Sequence, residues 1–130
     1  MSDVVYINGS LAPVKFNTLV AVTDGEQARG LMWMKWPPPV MCFPYRKIAI
    51  RKFWMKNTIS PLDILFCCGN SIVGIGRGEP LSTAPIGPDE PSDLVIELPA
   101  GSVNEHRISV GDTVRLAFSP ETLARQIVTG

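Results

Sequence analysis

The chain has 130 residues, 45% of them apolar, and a formal net charge of zero, with twelve basic and twelve acidic side chains. That length suits one domain with a real core, and neutrality argues against a dedicated nucleic-acid binder. Twelve prolines and eleven glycines exclude a helical bundle and punctuate a chain of short strands and turns.

From the N-terminus, Val4–Ile7 reads as a short strand closed by the turn pair Asn8-Gly9, and Phe16–Val22 as a second strand rich in β-branched residues. The opening residues lack a basic start followed by an apolar run, so no signal peptide is expected, and no apolar stretch is long enough to cross a membrane. Thr23-Asp-Gly-Glu26 is a capping box. It predicts a helix to about Leu31 with Ala28, Leu31 and Met32 facing inward. Pro37-Pro38-Pro39 makes a stiff extended link. Val40–Phe43 and Ile48–Trp54 are strand candidates on either side of Pro44.

Leu62, Ile64 and Phe66 alternate with Asp63, Leu65 and Cys67, and Gly69-Asn70 turns this strand into Ser71–Ile75 as a hairpin. Glu79–Pro91, with four prolines, reads as a long surface loop. Leu94–Leu98 is another strand, Val103–His106 a short helical piece, Val110-Gly-Asp112 a turn and Thr113–Phe118 the last strand. Ser119-Pro120-Glu121 opens a short C-terminal helix, with serine as N-cap and an acid beside the positive dipole end. Seven or eight short strands and two or three short helices give a mainly β fold, a small antiparallel β-sandwich or partly closed barrel. No crossover helices separate the strands, which excludes a doubly wound parallel sheet.

Charge is unevenly spread. Arg29, Lys35, Arg46, Lys47, Arg51, Lys52 and Lys56 fall in a stretch without an acid, whereas Glu79–Asp112 holds seven acids and one base, Arg107. The expectation is that the two stretches neutralise one another across the sheet. Cys67 and Cys68 are adjacent and bridge only with strain, and three cysteines cannot all pair. With one histidine and no Cys-x-x-Cys no zinc site is expected, and reduced thiols suit the cytosol. Cys42, Cys67 and Cys68 read as packing groups, and His106 as a surface residue. Gly74-x-Gly76-x-Gly78 lacks the lysine, hydroxyl and helix of a phosphate loop.

Five blocks occur in order: Glu26-Gln-Ala-Arg-Gly-Leu-Met32, Phe53-Trp-Met-Lys-Asn-Thr58, Pro61-Leu-Asp-Ile-Leu-Phe66, Val95-Ile-Glu-Leu-Pro-Ala-Gly101 and Gly111-Asp112-x-Val114. This pattern resembles the bacterial and archaeal family known as domain of unknown function 192, over roughly residues 16–118. The resemblance implies a small β fold of sandwich type and no assigned reaction. The family has a Gly-Met-Leu-Phe-like block where this chain reads Val40-Met-Cys-Phe43, which suggests a remodelled turn at Val40. Many relatives carry a secretion signal. Without one, this chain reads as a cytosolic form, a trimmed chain or a virus-encoded copy.

The residues support several functions. A non-catalytic binding or accessory domain would use a polar cleft formed by Arg29, Lys56, Asn57, Asp63 and Glu97, with Trp54 as a stacking wall, for a small polar or anionic ligand or a partner protein. Asp63, inside an apolar strand, needs a partner, and Lys56 or Arg29 would supply it. Glu97 would pair with a base of the 46–56 segment. A hydrolase or lyase would use Asp63 and Lys56 as an acid–base pair. A structural or assembly protein would use the aromatic patch of Trp33 and Trp36. No cofactor or metal is expected, and nucleic acid ranks last among partners.

Overall fold

The computed structural model describes residues 2–129, and the side chains of residues 2–127. Seven strands close into a barrel in the order β1-β2-β3-β6-β4-β5-β7. The strands are β1 (Val4–Asn8), β2 (Val14–Val20), β3 (Val40–Ala49), β4 (Leu62–Cys68), β5 (Ser71–Gly78), β6 (Ser92–Pro99) and β7 (Thr113–Ala117). All neighbours pair antiparallel except β2 and β3, which run parallel from Thr18↔Val40 to Val20↔Cys42. Three short helices complete the fold: α1 (Asp24–Arg29), α2 (Ser102–His106) and α3 (Pro120–Thr129). The expected mainly β fold is therefore a closed barrel.

Two of the sequence expectations change. The strand does not break at Pro44: β3 runs through it, with Pro44 opposite Leu94 and the register shifting before Ala49↔Ser92. Proline is accommodated because β2 pairs only with Val40–Cys42, leaving Pro44 beyond that ladder and next to an irregularity. Residues 50–54 are consequently not a strand but a covering segment, tied to the long loop by a single bridge, Phe53↔Ile86. Val40 opens the strand expected over Val40–Phe43, buried and paired with Thr18, so the remodelled turn suggested at Val40 itself is absent.

The alternation along β4 sorts two cores. Leu65 and Cys67 join Val5, Ile7, Cys42, Ile96 and Leu98 inside the barrel. Leu62, Ile64 and Phe66 point the other way and join Met41, Phe43 and Val95 under a cover supplied by Leu31 and Met55. Both faces of β4 are thus buried, as in a strand covered on each side.

The cover is seated by glycine. A β-carbon on Gly74 would lie 2.6 Å from Cγ of Pro88, and on Gly76 and Gly78 it would overlap Ile86 Cγ2 and Met55 Sδ. The Gly-x-Gly-x-Gly run is a flat track on which the 53–55 and 86–88 segments lie. Phe53 N–H donates to Ile86 O and Ile86 N–H to Phe53 O, both at 2.7 Å; Met55 N–H donates to Ser82 O and Leu81 N–H to Thr58 O. Phe53 then stacks edge-on against Phe43 and Phe66. The 79–91 loop is therefore held to the 53–58 segment at three points.

Gly69 and Asn70, both at positive φ, make the β4–β5 hairpin turn as expected. Ser119 caps α3, its Oγ accepting from Thr122 N–H at 3.2 Å, and Asp3 accepts from Ser119 N–H and from Thr122 Oγ1. Among the described residues no helix is long and apolar enough to cross a membrane.

Candidate functional site

Thr23 and Glu26 exchange the two expected capping hydrogen bonds, each at 3.1 Å, and Glu26 also accepts from Val22 N–H. This box, with an arginine at the far end, fixes α1 against β3, where Gln27 donates to the carbonyls of Ala21 and Pro44. The helix ends at Arg29, two residues earlier than expected, because Gly30 takes φ +49° and ψ −129°. Leu31 is still buried, but Ala28 is exposed.

Beside Gly30 a cleft of about 170 Å³ opens between α1, β3, β6 and the 52–58 segment. Its walls include Phe43, Tyr45, Phe53, Trp54 and Thr58, and its cations are Arg29, Lys52 and Lys56. Glu97 is the one carboxylate lining it. On β6 it sits between Met41 of β3 and Ile64 of β4, on the face that carries Val95. It is only 4% exposed and has no hydrogen-bond or ion-pair partner among the described residues. Burial in this apolar setting pushes its carboxyl up to about 8. At neutral pH it is therefore mainly a neutral acid, able to donate one hydrogen bond and accept others.

Of the bases expected to pair with Glu97, Arg46, Arg51 and Lys52 are engaged elsewhere. Lys52 Nζ donates to Gly87 O at 2.6 Å and Pro88 O at 3.0 Å and pairs with Asp89 at 3.2 Å. Arg51 bonds the carbonyls of Lys47, Ala49 and Ser92 and lies over the Tyr45 ring. Arg46 bonds the carbonyls of Gln126 and Ile127. Lys56 Nζ stands 5.2 Å from the Trp54 ring centroid. The basic stretch is thus satisfied largely by backbone carbonyls rather than by the acidic stretch, with Lys52–Asp89 the ion pair between them among the described residues.

Asp63 lies apart from this cleft. It is on the barrel-interior face of β4 with Leu65 and Cys67, and its Oδ2 accepts from Gly101 N–H and Val103 N–H, both at 3.0 Å. It anchors the start of α2, whose Val103 packs on the interior core. The expected Asp63–Lys56 and Asp63–Arg29 pairs do not form, because alternation along β4 sends Asp63 to the opposite side from the cleft.

Asn57 also stays outside the cleft wall. At φ 57° it is a turn residue whose carbonyl accepts from Trp33 N–H at 2.9 Å, with its amide against Met32 Sδ. Trp33 and Trp36 are 64% and 56% exposed on the neighbouring loop, which Ser60 holds by donating to Met34 O. Of the six expected ligand-binding residues, Arg29, Trp54, Lys56 and Glu97 converge on the cleft. Gly30, Phe43, Tyr45 and Thr58 complete it. None of these four was read from the sequence as a site residue: the expected helix ran past Gly30 to about Leu31, and the others carry no local signal.

A second, wider groove of about 700 Å³ lies on the other side of Arg29, lined by Leu19, Ala21, Met34 and Met41. Its acids are already satisfied, Asp3 by α3 and Glu26 by its cap and Arg125. The smaller cleft is the one holding an unpartnered buried polar group.

Two of the three cysteines are held unreactive by burial. Cys42 and Cys67 are buried, and desolvation pushes each thiol up to about 12. His106, expected at the surface, is half-buried with its ring edge-on to Phe16 at 5.3 Å.

Similar architectures occur in two bacterial structures. A protein of unknown function from Novosphingobium aromaticivorans DSM 12444 superposes with a TM-score of 0.81 at 29% identity, covering 86% of this chain and 83% of its own. A protein from Sinorhizobium meliloti 1021, provisionally assigned as a transcription regulator, gives a TM-score of 0.81 at 30% identity, covering 89% of this chain and 94% of its own. No curated protein matches the chain. The family model for domain of unknown function 192, described as an uncharacterized ACR, spans residues 4–116, strands β1 through most of β7, and the chain belongs to that family.

Proposed function

We propose that this protein is a small-ligand binding domain whose site is the cleft above Glu97. The observation that carries the reading is Glu97 itself, a carboxyl group nine-tenths buried with no partner from the protein. The carboxyl makes no hydrogen bond within the protein and lines the cleft, so a ligand there can hydrogen-bond with it. Arg29 and Lys56 at the rim favour a polar or anionic ligand, and the half-exposed Trp54 supplies a flat apolar wall.

An acid–base enzyme built on Asp63 and Lys56 is disfavoured by geometry, since Asp63 is committed to the α2 amides. The reading is tested by thermal-shift screening of the whole chain against sugars, sugar acids, amino acids, carboxylates and nucleotides, repeated with Arg29→Ala. Stabilisation by one chemical class that weakens in the variant supports the cleft. Equal shifts in both proteins, or none, overturn it.

A further inference from the structure

Resting on the binding reading above, we infer that the cleft is built for a sugar acid: a compact, polyhydroxylated monocarboxylate whose carboxylate faces Arg29 and Lys56 while a hydroxyl meets Glu97 and one ring face lies on Trp54. Each part of that ligand answers a group on the page. Arg29 ends α1 at the rim and has no partner among the described residues, so its forked donors are free for a carboxylate. Lys56 adds a second positive charge, held 5.2 Å from the Trp54 centroid rather than in an ion pair. Lys52 is spent on the 87–89 loop, leaving two available cations.

Glu97 selects among anions. It lies in a cleft whose other polar side chains are Arg29, Tyr45, Lys52, Lys56, Thr58 and Gln27. β4 contributes only Ile64 beside it. A phosphate ester brings about −1.5 to −2 charges to this carboxyl at neutral pH and a monocarboxylate about one, so the monocarboxylate repels any ionised Glu97 less. A hydroxyl, which donates and accepts, matches a neutral carboxyl in either sense. Gly30 keeps the approach open, since its missing β-carbon would stand 3.7 Å from Glu97 Oε1. The half-exposed Trp54 indole suits the C–H face of a pyranose better than a flexible chain acid. A cleft of about 170 Å³ has room for one such ring.

Binding is then linked to a proton. An anion bound beside Glu97 favours its neutral form, so affinity falls as Glu97 ionises through about pH 8. At about pH 9 the neutral fraction is roughly a tenth of that at about pH 6.5, which sets the expected loss.

The test is titration calorimetry of the full chain with glucuronate, glucose and inorganic phosphate at about pH 6.5 and pH 9. Glucuronate is expected to bind most tightly, to lose about tenfold in affinity at the higher pH, and to weaken at least as much with Arg29→Ala. Glu97→Gln is expected to flatten the pH profile, since its amide does not titrate. Equal binding of glucose, tighter binding of phosphate, or a pH profile unchanged by Glu97→Gln would overturn the inference. Should glucuronate fail while another compound of the thermal-shift panel binds in an Arg29-dependent way, the sugar-acid assignment falls and the cleft stands. If no compound binds, both fall.

Discussion

Gly30 stands directly over Glu97: a β-carbon there would sit 3.7 Å from Glu97 Oε1 and 3.5 Å from the Phe43 ring. One residue thus ends α1, aims Arg29 at the cleft rim and leaves the buried carboxyl reachable. These contacts would tolerate a methyl group, but the backbone would not. At φ +49° and ψ −129° an L-residue is strained, so Gly30→Ala is expected to cost about 1–3 kcal/mol, measured by urea unfolding. It should also lower affinity for any ligand found in the cleft. Unchanged stability would show that the α1 end can be rebuilt without glycine.

Glu97 gives stability a particular pH dependence. Its folded-state value, about 8, lies above the ordinary carboxylate range, so between those values the native chain holds a proton that the unfolded chain has lost. Stability from this group is full below the ordinary range and is lost as pH rises through about 8, at roughly 1.4 kcal/mol per pH unit. Glu97→Gln should remove that slope between about pH 5 and 8. Chemical denaturation at a series of pH values reads it, and parallel curves for the two proteins would contradict the assignment.

Asp63 should behave as a structural anchor. Removing its two charge-assisted hydrogen bonds to Gly101 and Val103 leaves the start of α2 untied. Asp63→Ala is expected to cost about 2–5 kcal/mol without altering the affinity of a cleft ligand. A stable Asp63→Ala protein with lost binding would place Asp63 in the site after all.

The glycine track of β5 predicts sensitivity to a single methyl group. Gly76→Ala drives a β-carbon into Ile86 Cγ2, and should destabilise by about 1–3 kcal/mol. Hydrogen exchange at the Phe53 and Ile86 amides, which hold the bridge, should accelerate in the variant. Unaltered protection there would mean the cover does not depend on the track.

Thiol labelling should divide the cysteines by place. Cys68 is partly exposed, while Cys42 and Cys67 are buried with thiols pushed up to about 12. A thiol reagent at neutral pH is expected to modify Cys68 first in the native protein, and all three only on unfolding. Early labelling of Cys42 would indicate a barrel that opens between β2 and β3.

Much of the architecture was legible because its signals are local. The Thr23/Glu26 box, the Gly69-Asn70 turn, the alternation along β4 and the Ser119 cap each act within a few residues, and each appears where the pattern puts it. Pro44 misled because its effect on a strand depends on which neighbour it faces. That neighbour, β2, is more than twenty residues away and stops pairing at Cys42.

The candidate site was legible only in its parts. Arg29, Trp54, Lys56 and Glu97 stand out in the sequence as polar or aromatic groups in apolar runs, and they do converge. Asp63 stands out equally, yet it faces the interior core while Glu97 faces the cover. Strand alternation separates residues onto two faces, but it does not say which face meets α1. That is decided when α1 and the 52–58 segment pack across β3, β6 and β4.

By itself, then, the sequence determined the β-rich class, the helix caps, the hairpin and the stock of polar groups, because short-range hydrogen bonding and side-chain periodicity are written residue by residue. Tertiary structure alone decided that the strands close into a barrel, that Asp63 anchors α2, and that Glu97 is left buried and unpartnered beneath Gly30. Those outcomes depend on which distant backbone carbonyls capture Arg46, Arg51 and Lys52, and on which face of the sheet the long loop covers.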